Sequence, residues 1–71
     1  MYFVSIIEVI KARRESLQVT QKALSDLSGV ALGALKKFES GKGNPTLSTL
    51  KKLCDVLGLE ITLSVKKTTN P

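Results

Sequence analysis

Thr20 to Gly41 reads TQKALSDLSGVALGALKKFESG, and this stretch decides the fold. It holds two short helical patterns separated by a Gly-Val turn. Thr20 is an N-cap candidate, because its hydroxyl can accept from an amide of the first turn. Ala23, Leu24 and Leu27 supply the apolar side of the helix that follows. Gly29 ends that helix, since glycine enters the left-handed cap conformation without steric cost. Val30 leads into the second helix, whose buried side reads as Ala34, Leu35 and Phe38. Its other side shows Leu32, Gly33, Lys36 and Lys37. Gly41-Lys42-Gly43-Asn44-Pro45 is a loop on every local criterion.

The flanks are read in the same way. Ser5 and Glu8 form an S-x-x-E capping box and place the start of a first helix at Ser5. Ile6, Ile10 and Leu17 mark its apolar stripe, with Ile7 and Arg14 beside it. Lys11, Arg13 and Arg14 lie on a mostly polar face, and the helix should stop near Leu17 or Gln18. Beyond the loop, Thr46 opens a last helix. There Leu47, Leu50, Leu53, Cys54 and Leu57 recur at helical spacing, and Gly58 closes it. The period then changes. Leu59, Ile61, Leu63 and Val65 alternate with polar residues, the pattern of a half-buried strand over 59–65. Residues 1–65 read as one domain and 66–71 as a mobile polar tail.

Composition narrows the function. A chain of 71 residues buries only about 60% of its unfolded surface, so its own core is marginal and a partner subunit is expected. Cys54 is the single cysteine and histidine is absent, which removes an internal disulfide and the usual zinc ligands. No cofactor is expected. Cys54 sits among leucines and reads as a reduced, buried thiol in the cytoplasm. No apolar run is long enough to span a bilayer. Met1 to Ile10 is apolar, but Glu8 interrupts it and no cleavage site follows, so no signal peptide is read there. The net charge of +5 favours an anionic partner and is spread along the chain rather than gathered in one tail. Two short helices joined by a tight turn form a helix-turn-helix, whose second helix commonly lies in the DNA major groove. Together with the charge, this points to double-stranded DNA. The sequence lacks a nucleophile elbow and a phosphate-cradling glycine loop, and its acidic residues are scattered, so an enzyme is not expected. A membrane-surface role is not expected either, because the basic residues do not form one amphipathic face.

TQKALSDLSGV, a helix ending in FESGKGNPTL, and then LSTLKKLCDVLGL resemble the Cro/lambda-repressor type of helix-turn-helix, the XRE family. The resemblance covers roughly Ile6 to Leu57. It implies a mainly α domain of four or five helices that binds operator DNA as a dimer. ARRESLQVTQ, GKGNPTL and LGLEITLSV are similar to HipB-type antitoxins. That narrower likeness implies a C-terminal strand paired with its mate across a homodimer. It also implies repression of the protein's own operon, with a toxin protein as a further partner. Residue by residue, the resemblance implies a largely buried ion pair between Arg14 and Glu39. It places Gln21 against the DNA backbone and the recognition helix, Lys36 at a base-reading position and Lys37 at a phosphate. Lys42, Asn44 and Thr46 fall in a phosphate-clamping region. The chain also departs from the family pattern. Ala31 stands where a polar N-cap is usual, and Gln18 where glycine is typical. Leu32 and Gly33 occupy slots that often hold polar base readers. Leu32 could touch a thymine methyl and Gly33 could permit close backbone approach, or this part of the helix contacts protein.

The strand at Leu59, Ile61, Leu63 and Val65 needs a hydrogen-bonding partner. Within the chain only Tyr2-Phe3-Val4 offers another strand-like run. The alternative is the same strand of a second subunit, which is preferred because operator palindromes call for a twofold protein. Two recognition helices would then stand roughly 34–36 Å apart. The reading from a different class is a protein-interaction module that uses the same fold to bind a protein instead of DNA.

Overall fold

Two threonines and two glycines punctuate the chain. In the computed structural model, which describes residues 3–63 and 65 and side chains from Ile6 onward, four helices form: α1 (Phe3–Ser16), α2 (Gln21–Ser28), α3 (Leu32–Glu39) and α4 (Leu47–Leu57). Thr20 Oγ1 accepts from the Ala23 amide at 3.0 Å, and Thr46 Oγ1 from the Thr49 amide at 3.1 Å. Each hydroxyl satisfies one of the amides that a helix start leaves without a partner. Gly29 and Gly58 close α2 and α4 at φ values of 80° and 71°.

The end of α1 is built without glycine. Gln18 takes φ 58°, a left-handed conformation that costs a non-glycine residue about 1–2 kcal/mol. The geometry persists because its neighbours fix it. The Gln18 amide donates to Glu15 O at 3.0 Å and the Val19 amide to Arg14 O at 3.1 Å, which satisfies two carbonyls of the last turn.

Ile10, Leu24, Val30, Leu35, Phe38, Leu53, Cys54 and Leu57 form the core, and Ile6, Ile7, Val19, Leu50, Val56 and Leu59 pack around it. α2 rests on α3 and α4, and α1 on the same two helices. Arg13 adds a polar link that the sequence reading did not anticipate. Its Nε donates to Leu57 O at 2.9 Å, placing a cation at the C-terminal end of α4, where the helix dipole favours it. Burial pushes the Cys54 thiol above its ordinary pKa, and the charge of Asp55 adds to the effect.

Several expectations are corrected. α1 begins at Phe3, so Ser5 lies inside the helix and is not its cap. Val30 does not open α3; it lies in the turn, and α3 starts at Leu32. Leu17, Leu27 and Leu47 are exposed. Leu17 falls just beyond the end of α1. Leu27 lies about 60° around the helix from Leu24, and only the centre line of so short a helix is covered. Ala34 is exposed as well. Within the single chain, residues 59–63 and 65 form no strand; the expected pairing with a second subunit needs another backbone. Phe3 and Val4 have gone into α1 and are not available to pair with it. Tyr2, Ser64 and the tail at 66–71 lie outside the described residues.

Across the middle of the domain runs one buried charge pair. Arg14 Nε and Nη2 donate to Glu39 Oε2 and Oε1 at 2.7 and 2.9 Å. The side chains are 11% and 3% exposed. Arg14 Nη1 donates to Val19 O at 2.7 Å, and Gln21 Nε2 to Glu39 Oε1 at 3.1 Å. The hydrogen bond to Glu39 raises the Arg14 pKa despite desolvation. Removing one member strands the other charge in the interior, at a cost of about 3–5 kcal/mol. That is most of the stability of a domain this small. Glu39→Ala should therefore unfold the chain at room temperature, as read by circular dichroism; an unaltered melting curve would contradict the role assigned to the pair.

Candidate nucleic-acid interface

The turn between α2 and α3 sets the direction of the second helix, and it is closed by small side chains. Gly29 supplies the left-handed residue. Ser25 Oγ donates to Val30 O at 2.6 Å, and Ser28 Oγ accepts from the Val30 amide at 3.1 Å. Val30 is itself buried and pins the turn to the core. Sequence reasoning missed both serines. The signal was there, since serine flanking a glycine turn commonly bonds nearby backbone.

From that turn α3 divides into two faces. Leu35, Phe38 and Glu39 point inward. Gly33, Ala34, Lys36 and Lys37 are exposed, and Leu32 is half-buried. Glu39 is the only acidic residue between Gly29 and Pro45. Since it is turned inward onto Arg14, the outer face of α3 is left with cations alone. Among the described residues no acidic group forms an ion pair with Lys36, Lys37 or Lys42.

The structure gathers some of the expected site residues and separates others. Lys37, Lys42, Asn44 and Thr46 border one open cleft of about 290 Å³, together with Ala34 and Phe38. The Lys42 amide donates to Lys37 O at 2.8 Å, which holds the loop against the end of α3. The Thr46 hydroxyl is engaged in capping α4 and in a 3.1 Å contact with Thr49 Oγ1. Lys36, Leu32 and Gly33 do not line this cleft; they lie along α3 itself. Gln21 is half-buried at the first turn of α2, and its amide nitrogen is committed to Glu39. Arg14 and Glu39 meet directly.

The start of α3 is locally weak. Ala31 provides no side-chain cap. Gly33 is the second residue of α3, and glycine is a poorer helix former than alanine. An added Cβ at Gly33 would meet nothing within 4 Å, so packing within the chain does not require glycine there.

At the C-terminal segment, Leu59 is half-buried, while Ile61, Leu63 and Val65 are 40%, 93% and 96% exposed. Leu59, Ile61 and Leu63 border an apolar groove of about 360 Å³ whose other wall is Ile6, Val9 and Ile10 of α1. Among the described residues no group of His, Cys, Asp and Glu is placed to hold a metal ion, and no helix is long and apolar enough to cross a membrane.

A family model described as Helix-turn-helix matches residues 10–63. The curated relatives agree with it. The cryptic phage CTXphi transcriptional repressor RstR of Vibrio cholerae serotype O1 is 37% identical over 54 residues, 76% of this chain and 48% of that protein. An uncharacterized HTH-type transcriptional regulator of Haemophilus influenzae is 37% identical over 60 residues, 84% of this chain and 61% of its own length. The SPbeta prophage-derived uncharacterized HTH-type transcriptional regulator YonR of Bacillus subtilis is 34% identical over 61 residues, 86% of this chain and 56% of its own. The chain thus spans about half to three-fifths of the length of these relatives.

Because Lys36 and Lys37 are exposed and carry no side-chain partner among the described residues, their replacement by alanine should leave folding intact. Changes at such surface positions usually stay within about 0.5 kcal/mol. Thermal melts of both variants check this, and a large loss of stability would mean that the lysines hold the fold.

Proposed function

The chain belongs to the helix-turn-helix family, and we propose from that premise that it is a sequence-specific DNA-binding transcriptional repressor acting as a homodimer. One observation carries the reading: α3 turns its single carboxylate inward and offers Gly33, Lys36 and Lys37 outward. Such a face fits the major groove, where an ammonium group can donate to guanine O6 and N7. Lys37, Lys42 and Asn44 around the neighbouring cleft suit the phosphates, which fix register without reading sequence. Gln21 is held by Glu39 at the start of α2, where helix amides and dipole favour a phosphate. The mechanism is steric: a dimer on its operator occludes transcription. The repressor reading also draws on the name of the Vibrio cholerae relative.

The dimer is supported by the C-terminal segment. Leu63 and Val65 are almost wholly exposed, and a strand there requires another chain's backbone. In the sharper form of the proposal, the protein is the autoregulating antitoxin of a HipB-type pair, with a toxin as second partner. That form rests on the likeness of ARRESLQVTQ, GKGNPTL and LGLEITLSV alone. A second reading, docking of a protein on the start of α3, draws on the exposed Leu27 and half-buried Leu32. Salt separates the two, because phosphate contacts make affinity fall steeply with ionic strength.

In a gel shift, the chain should bind DNA upstream of its own gene more tightly than a random duplex of equal length. Lys36→Ala should cost about 1–3 kcal/mol of that preference, and Lys37→Ala should lower the salt slope by about one. Equal binding to both duplexes, or binding indifferent to salt, would overturn the assignment. For assembly, Leu63→Asp combined with Val65→Asp should give a folded monomer by sedimentation at concentrations where the unaltered chain is dimeric. A dimer that survives both changes would place the interface elsewhere.

A further inference from the structure

We infer that Arg13 is a positioning residue that sets which half-site spacing the protein accepts on DNA; the inference rests on the homodimer reading above. The starting point is how the two functional ends of the chain are joined. α3 and α4 pack on α1 and α2 rather than mainly on each other. The C-terminal segment is therefore placed relative to α3 through those two helices. α4 contributes Leu50, Leu53, Cys54 and Leu57 to the core, and apolar contact is non-directional. Among the described residues a single side-chain hydrogen bond ties α4 to another helix, from Arg13 Nε to Leu57 O at 2.9 Å.

That bond sits where the chain changes direction. Leu57 is the last residue of α4, and Gly58 turns the chain at φ 71°. The Leu59 amide closes the turn on Cys54 O at 2.8 Å. A Cβ at residue 58 would lie 3.5 Å from Arg13 Nη2, so the guanidinium covers the turn itself. Beyond Leu59 no backbone hydrogen bond holds the segment among the described residues, and its direction is fixed at this turn. The next residue, Arg14, is bound to Glu39 at the end of α3. Adjacent residues point about 100° apart around a helix, which lets the end of α1 grip α4 with Arg13 and α3 with Arg14. Arg13 is exposed, so it contributes orientation more than burial. In a dimer paired through 59–65, a swing of that segment against α3 is repeated by the twofold axis and acts on both recognition helices at once. Their separation must match half-sites roughly 34–36 Å apart.

The test starts from the duplex that the unaltered chain selects from a random pool. One base pair is then inserted at its centre, which shifts one half-site by about 3.4 Å and turns it by about 35°. The unaltered chain should bind the longer duplex roughly a hundredfold more weakly, because both half-sites are no longer engaged together. Arg13→Ala should fold and dimerise, as read by circular dichroism and sedimentation, yet the insertion should cost it only about tenfold or less. Lys11→Ala removes the same charge from the same helix without touching the link. It should keep the full preference and bind a single half-site as Arg13→Ala does. If Arg13→Ala keeps the full preference, or fails to fold, the inference is overturned and the homodimer stands. An unaltered chain that tolerates the insertion would overturn both.

Discussion

The carboxylate of Glu39 is the constraint on which the other parts depend. It joins three segments of the chain: Arg14 at the end of α1, Gln21 at the start of α2, and the last turn of α3. Arg14 also reaches Val19 O, so the same guanidinium fixes the link between α1 and α2. Buried charge is expensive and is tolerated only when its hydrogen-bonding capacity is filled. Here it is filled, since among the described residues no buried side-chain nitrogen or oxygen lacks a partner. Fork-to-carboxylate geometry of this kind fixes orientation as well as proximity. The angle between α1 and the α2–α3 pair is thereby defined by more than apolar contact.

The same pair shapes the outer surface. With Glu39 withdrawn, the face of α3 has no negative charge to set against Lys36 and Lys37. A stabilising device in the interior thus also sets the field outside. The contrast with α2 and α4 is clear: Lys22 and Lys51 are each met by an aspartate one turn along, Asp26 and Asp55. Those exposed pairs add little stability, but they mute the charge of the helices that carry them. On α3 it is left unmuted.

The apolar surplus is placed with equal economy. Part of it is gathered where α1, α4 and the C-terminal segment meet, at Val9, Ile61 and Leu63. A domain of this size cannot bury everything it carries. The surface is thus cationic on α3 and apolar at the C-terminal segment.

Local sequence determined that four helices form, the caps of α2 and α4, and the loop, but not where α1 begins. Thr20, Gly29, Thr46 and Gly58 act through their own backbone and the next turn, and such chemistry is legible without a fold. Arg14 and Glu39 came instead from resemblance, because residues 25 apart have no local signature for each other. Tertiary structure alone decided which leucines are core. Leu27 and Leu47 have helical spacing as good as that of Leu24 and Leu53, yet only the latter face a neighbouring helix. It also decided that Val30 anchors the turn instead of opening α3, and that Arg13 caps α4. The C-terminal alternation marks the third boundary. Period two records a preference for an extended, half-buried chain, but pairing needs a second backbone, and a single chain whose Phe3 and Val4 are helical does not supply one there.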